Sequence, residues 1–224
     1  MFTKRITTML TALLMVFAFG AMSLSAAEPC AAGAKKVRTV RDFFTTMPEQ
    51  VTPMLTPYHC LDLMDYYDSK MTARVKNDWG GRTTLKQLDR LYLLMQDDNE
   101  GCVNTELALL ISNSDTILCV NRTLHFPQAE STLSFYTTEW EPLDATKHLT
   151  LPAAKDFPKT NTDGLEANNG MQTISAHINI DTNGIATLQL QLHQDAGFAD
   201  TTPTGPTTTP TLTYQWDKRK FIRK

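Results

Sequence analysis

The chain has 224 residues, 42% of them hydrophobic, and carries 21 Lys and Arg against 24 Asp and Glu for a net charge of −3. That is enough apolar chain for one domain with a real core, or for two small ones. The mildly acidic balance excludes a general attraction to nucleic acid, which needs clustered Lys and Arg to neutralise phosphates.

The first 27 residues have the three-part layout of a secretory signal peptide. Lys4 and Arg5 make a short positive start, Met9 to Ala21 is almost wholly apolar, and Ser25-Ala26-Ala27 supplies small residues before Glu28. Cleavage is expected after Ala27. The apolar run is too short to span a bilayer comfortably, and no second run of about 20 apolar residues follows. An integral membrane protein is therefore disfavoured. Cys30 follows Glu28-Pro29 rather than small residues, which argues against a lipid anchor. Loss of Lys4 and Arg5 leaves 19 basic against 24 acidic side chains, a net charge of −5. The expectation is an exported protein, periplasmic or extracellular.

Export permits disulfides, and four cysteines allow three full pairings. Cys119 sits inside the apolar run Ile117-Leu118-Cys119-Val120 and reads as a buried free thiol. Cys60 and Cys102 flank the segment from the second helix to a glycine turn and form the candidate bridge. No spacing matches a zinc module or a Cys-x-x-Cys pair, and no cofactor is predicted.

Along the mature chain, Glu28 to Val37 reads as a flexible lead-in, and Val40 to Met47 as a short helix stopped by Pro48 and Pro53. Thr56 is a suitable N-cap and Pro57 a suitable first residue for a helix running to about Met71. Helical counting places Cys60, Leu63, Met64, Tyr67 and Met71 on one arc, with Asp62, Asp65 and Ser69 on the other. Asp78-Trp79-Gly80-Gly81 is a turn. Thr83 to Gln96 supports two readings. Leu85, Leu88, Tyr92 and Met95 have helical spacing, yet a break at Asp89-Arg90 would give two short strands.

Strand signals follow. Glu106 to Ile111 and Thr116 to Thr123 flank the turn Ser112-Asn113-Ser114-Asp115, and Leu133 to Thr138 adds a strand ending near Trp140. Glu141 to Gly170 is irregular, with one helical turn after Pro152. The apolar residues Ile174, Ala176, Ile178 and Ile180 of Thr173–Asp181, and Ala186, Leu188, Leu190 and Leu192 of Ile185–His193, are all even-numbered. Opposed residues of a hairpin share a face, so paired numbers must sum to an even value. A two-residue Asn183-Gly184 turn fails that test. A three-residue loop, Thr182-Asn183-Gly184, passes it, puts Gly184 in the left-handed position and sets Ile178 opposite Leu188. Ala199 to Thr211 reads as an exposed Thr/Pro loop. Leu212 to Trp216 resumes a strand, which Lys220 to Arg223 closes.

The predicted fold class is α+β: N-terminal helices packed on an antiparallel β-meander, followed by a C-terminal β-rich part. The divisions are 1–27, the signal; 28–145, helices plus meander; and 146–224, the β-rich part, which can belong to the same domain.

The export signal, the helix from Met47-Pro48 through Met71, Gly80-Gly81 and the run Leu133-Ser134-Phe135-Tyr136-Thr137-Thr138-Glu139-Trp140 together resemble a known group. They are similar to the exported domain-of-unknown-function proteins of Bacteroidales bacteria, over roughly residues 40–145. The resemblance implies export and a strand-rich meander, and tilts Thr83–Gln96 toward strands. It carries over no functional residue. It also implies O-glycosylation at Asp-Thr or Asp-Ser followed by a small, aliphatic or Thr residue. Asp200-Thr201-Thr202 fits, making Thr201 the candidate acceptor, and Asp115-Thr116-Ile117 fits at a hairpin edge.

Chemistry-bearing residues are sparse. His59, Asp62 and Asp65 lie within two turns of one helix and form the one local polar cluster, although a solvated helix face is the far commoner meaning of such a pattern. By the hairpin register His177 opposes Gln189 and His193 opposes Thr173. Four residues of strand span about 13 Å, so these two histidines cannot share a metal. His125 and His148 fall in loops. Tyr66, Tyr67, Trp79, Tyr136 and Trp140 can stack on sugar rings or fill a core. Lys218-Arg219-Lys220 and Arg223-Lys224 can dock on anionic groups or guard an edge strand. No nucleophile elbow, metalloprotease helix or phosphate loop is present. Two functions fit: a non-catalytic binding or interaction module of the cell envelope, with a glycan or protein partner, or an envelope or glycan hydrolase.

Overall fold

The computed structural model describes residues 38–99, 102–113, 115–158, 172–194 and 209–224. The predicted signal, Cys30, Thr201 and most of the Thr/Pro loop lie outside the described residues.

Two short helices come first. α1, Val40–Phe44, opens at Thr39, whose N–H and hydroxyl both donate to Asp42 Oδ2, at 2.7 and 3.0 Å. α2, Pro57–Asp68, opens as predicted: Thr56 Oγ1 accepts from the His59 N–H at 3.3 Å, with Pro57 in the first turn. Cys60, Leu63 and Met64 are buried from that helix, while Met71 lies beyond its end, 62% exposed.

Seven strands follow in chain order as one antiparallel sheet. They are β1 Arg74–Lys76, β2 Arg82–Leu88, β3 Tyr92–Asp97, β4 Val103–Ile111, β5 Thr116–Leu124, β6 Glu130–Tyr136 and β7 Pro142–Leu143. Thr83–Gln96 is thus a hairpin, and its register explains the helical spacing of its leucines. Leu85 pairs with Met95, but Gln87 pairs with Leu94 and Leu88 with Leu93, so the ladder skips Lys86 as a bulge. One extra residue lets Leu85 and Leu88, three apart, face the same core.

Short 3-10 turns at Ala145–Lys147 and Ala154–Asp156 lead toward the second sheet. That sheet comprises β8 Gln172–Ile180, β9 Ala186–Gln194, β10 Thr211–Trp216 and β11 Phe221–Arg223, in the order β11-β10-β9-β8. The parity argument holds. Ile178 pairs with Leu188, His177 with Gln189 and Thr173 with His193, and Gly184 has φ +79°. Ile178 and Leu188 are both buried. Gly184 also lies close to the hairpin before it, since a Cβ there would come within 3.2 Å of Leu91 Cδ1.

Alternation in the middle sheet produces two cores. Leu107 and Leu109 of β4 join Phe43, Phe44 and Leu63 beneath the helices. Ala108 and Leu110 join Ile178, Leu188 and Trp216 beneath the second sheet. The seven-stranded sheet is therefore covered on both faces, and the molecule is mostly antiparallel β with few helices. The C-terminal strands cover the meander's far side instead of trailing after it. Among the described residues no helix is long and apolar enough to cross a membrane.

Candidate functional site

Glu106 lies mid-strand in β4 with its side chain on the face toward the second sheet, 3% exposed. A buried carboxylate requires donors, and four converge on it. Tyr92 Oη donates to Oε1 at 2.5 Å, Asn121 Nδ2 to Oε2 at 2.5 Å, and the Ile178 N–H to Oε2 at 3.3 Å. His177 Nδ1 completes the set at 2.6 Å from Oε1. Asn121 is the direct cross-strand neighbour of Glu106 on β5. The other two groups, from His177 and Ile178, arrive from β8, so one carboxylate ties the two sheets together.

This network fixes His177. Its Nδ1 is held by Glu106, Nε2 has no partner among the described residues, and the imidazole side chain is 57% exposed. The bond to Glu106 raises the His177 pKa, partial burial opposes that rise, and the charge of Glu106 adds to it. Burial and the neighbouring carboxylate hold the Tyr92 hydroxyl well above its ordinary range, so it stays a donor.

Beside His177 is a cavity of about 500 Å³. The tip of the β2–β3 hairpin, Asp89, Arg90 and Leu91, forms one wall. His177, Ile180 and Gly184, at the end of β8 and its turn, form the other. Polar side chains of β4, β5 and β6 also cover the free edge of β8. The Ala176 N–H donates to Ser131 Oγ at 2.7 Å, and its carbonyl accepts from Asn121 Nδ2 at 2.8 Å. These bonds stop an open edge from recruiting other strands.

The predicted site residues fall elsewhere. His59 is spent on structure, because its Nδ1 accepts the Thr56 N–H at 3.2 Å while Thr56 caps His59 in return. Asp62 and Asp65 are exposed on α2. Among the described residues no group of three or more His, Cys, Asp or Glu is placed to hold a metal ion. The Cys60–Cys102 bridge is not formed: Cys60, Cys102 and Cys119 are all free. Cys60 points from α2 into the first core, and burial pushes its thiol up to about 12. Cys102 precedes β4 at φ +45°, with its sulfur 3.4 Å from Gln96 Nε2. Cys119 is buried and unpaired as expected.

Several other marked residues have structural partners, whereas Tyr66, Trp79 and His125 are exposed. His193 bonds Ser175 Oγ at 2.7 Å, and His148 bonds the Arg219 carbonyl at 3.0 Å beside Phe135 and Trp216. Tyr136 packs on Trp140, with ring centroids 5.6 Å apart. Lys218-Arg219-Lys220 is the β10–β11 turn, organised by Asp217, and β11 is an edge strand. Glu106 carried a sequence signal that motif scanning misses. Thr105 to Leu110 is apolar on both strand faces apart from Thr105 and Glu106, so a carboxylate there needed buried donors.

Residues 33–221 match the family described as "Protein of unknown function (DUF3256)". The chain belongs to this family. Membership agrees with the unknown-function part of the resemblance drawn from Leu133–Trp140. The curated proteins give no match. A similar solved structure is "Structure of a domain of an uncharacterized protein from Porphyromonas gingivalis W83". It is 24% identical with a TM-score of 0.60, covering 83% of this chain and 98% of that one. Porphyromonas belongs to the Bacteroidales. The likeness shows a shared fold, and neither comparison supplies an activity.

Proposed function

We propose that this DUF3256 protein is an exported, non-catalytic binding module of the cell envelope that takes its ligand in the cavity beside His177. The observation that carries this reading is the site's construction. A half-exposed imidazole, fixed by a buried carboxylate, stands in a cavity lined also by Asn179 and Thr182 and by the charged Asp89, Arg90 and Asp181. A concave site with polar groups held in fixed positions beside a few apolar side chains, here Leu91, Ile111 and Ile180, is a form that ligand pockets take. Export rests on the layout of residues 1–27 and is tested by N-terminal sequencing of protein from its host, which should begin at Glu28. Periplasmic or extracellular residence and an envelope glycan or protein as partner follow from export.

One feature favours a hydrolase as the second reading. A carboxylate on Nδ1 leaves Nε2 as a base, the arrangement that orients histidine in acyl hydrolases. Incubation with peptidoglycan fragments, followed by mass spectrometry, separates the two. A module returns the fragments intact, and a hydrolase yields products that vanish in His177→Gln.

A further inference from the structure

The cap over β8 ends before the strand does, and the backbone beyond it faces the cavity. Ladder alternation identifies the groups involved. The Asp181 N–H donates to the Ile185 carbonyl, and Ile178 pairs with Leu188. Odd residues of β8 therefore exchange hydrogen bonds with β9, and even residues turn their N–H and C=O outward. At Ala176 Ser131 and Asn121 satisfy both outward groups, and at Ile178 Glu106 takes the N–H. The Ile178 carbonyl and both backbone groups of Ile180 have no partner among the described residues. Ile178 is 1% exposed and Ile180 half-buried, and both residues line the cavity.

A buried main-chain carbonyl is rarely left unpaired, so the Ile178 carbonyl marks an unfilled interaction, and the two outward groups of Ile180 continue it along the edge. Along the edge they run acceptor, donor, acceptor at strand spacing. An extended backbone presents the complementary order at the same spacing, whereas a sugar ring repeats no such pattern. We propose that the cavity receives an extended peptide of a partner protein, which adds as a short strand to β8 at Ile178–Ile180. This rests on the reading that the cavity is the ligand site and names the ligand's class. In antiparallel register one peptide residue exchanges two bonds with Ile180. The residue two along donates its N–H to the Ile178 carbonyl. Further pairing is blocked at Ala176, where Ser131 and Asn121 already occupy the edge. Leu91 and Ile111 in the cavity wall favour an aliphatic peptide side chain.

The test follows backbone amide and imidazole signals of the isotope-labelled protein by NMR. The probe is a pool of acetylated five-residue peptides with Val, Ile, Leu or Ala at the centre. Movement of the Ile180 amide and the His177 ring is expected, with affinity falling at least tenfold when the peptides' alternate backbone nitrogens are methylated. Ile180→Pro deletes the outward N–H where an edge strand accepts proline and should weaken binding to a similar degree. If that variant fails to fold, the methylated peptides still decide the matter on the unaltered protein. Equal binding of methylated and unmethylated peptides overturns the proposal. Chitotriose is the comparison. If it moves the cavity signals and no peptide does, strand addition is wrong while the cavity remains a ligand site. If neither moves them, both readings fall.

Discussion

A carboxylate enclosed between two sheets is stable only when its lone pairs are filled, and Glu106 has four donors on its two oxygens. Glu106→Gln keeps the shape but turns one acceptor into a donor facing other donors. Charge-assisted bonds and a buried unmatched group set the cost at about 2–4 kcal/mol, which should appear as a lower urea midpoint at unchanged slope. An unchanged midpoint would show that the network is not stabilising. His177 adds a pH dependence whose sign follows from its raised folded pKa. A raised pKa means that the stabilisation is complete below the unfolded value, about 6.5, and is lost as pH climbs through the folded value. With the ring 57% exposed, solvent screening limits the effect to about 1 kcal/mol or less. Thermal unfolding of the native chain should thus weaken modestly above pH 6.5, and His177→Gln should flatten the slope. A native chain that gained stability over the same range would contradict this assignment.

At the scale of elements, what the sequence disclosed depended on whether local pattern and tertiary context agreed. The β8–β9 hairpin was legible to the residue, because apolar parity and a glycine suited to positive φ pointed to one register. α2 was legible at its start for the same reason: Thr56 and Pro57 act locally. The β2–β3 hairpin stayed ambiguous because the bulge at Lys86 imposes an i, i+3 spacing that imitates a helix. The pairing of Glu106 with His177 was illegible, because it joins strands 71 positions apart in the chain, which no local period encodes. The cysteines show the same gap. Flanking positions made a Cys60–Cys102 bridge conceivable, but the helix turns Cys60 inward. Alkylation of the native protein should label Cys102 before Cys60 or Cys119, which should react only on unfolding. Peptide mass mapping reads the order, and a Cys60–Cys102 linked peptide would refute it. Gly184→Ala tests the turn: φ +79° and the 3.2 Å approach to Leu91 predict a loss of about 1 kcal/mol.

For the whole molecule the decisive feature is that the seven-stranded sheet serves two cores. The described residues lie within one compact unit. Leu107 and Leu188 are both fully buried, one beneath the helices and the other beneath the second sheet. If the layers were independent, removing one side chain would loosen only its own layer. Shared strands forbid that, since β4 contributes Leu107 to one core and Leu110 to the other. Glu106 adds a polar tie between the layers. Leu107→Ala and Leu188→Ala should each cost about 2–5 kcal/mol, the range for a leucine cavity that relaxes only in part. Each should shift one transition, seen alike in far-UV circular dichroism and in tryptophan fluorescence. The probes sample both sides, because Trp140 packs on the first core and Trp216 in the second. A second transition appearing in either variant would mean that the sheets unfold separately, and the Glu106 tie would then be a contact between two folding units instead of the centre of one.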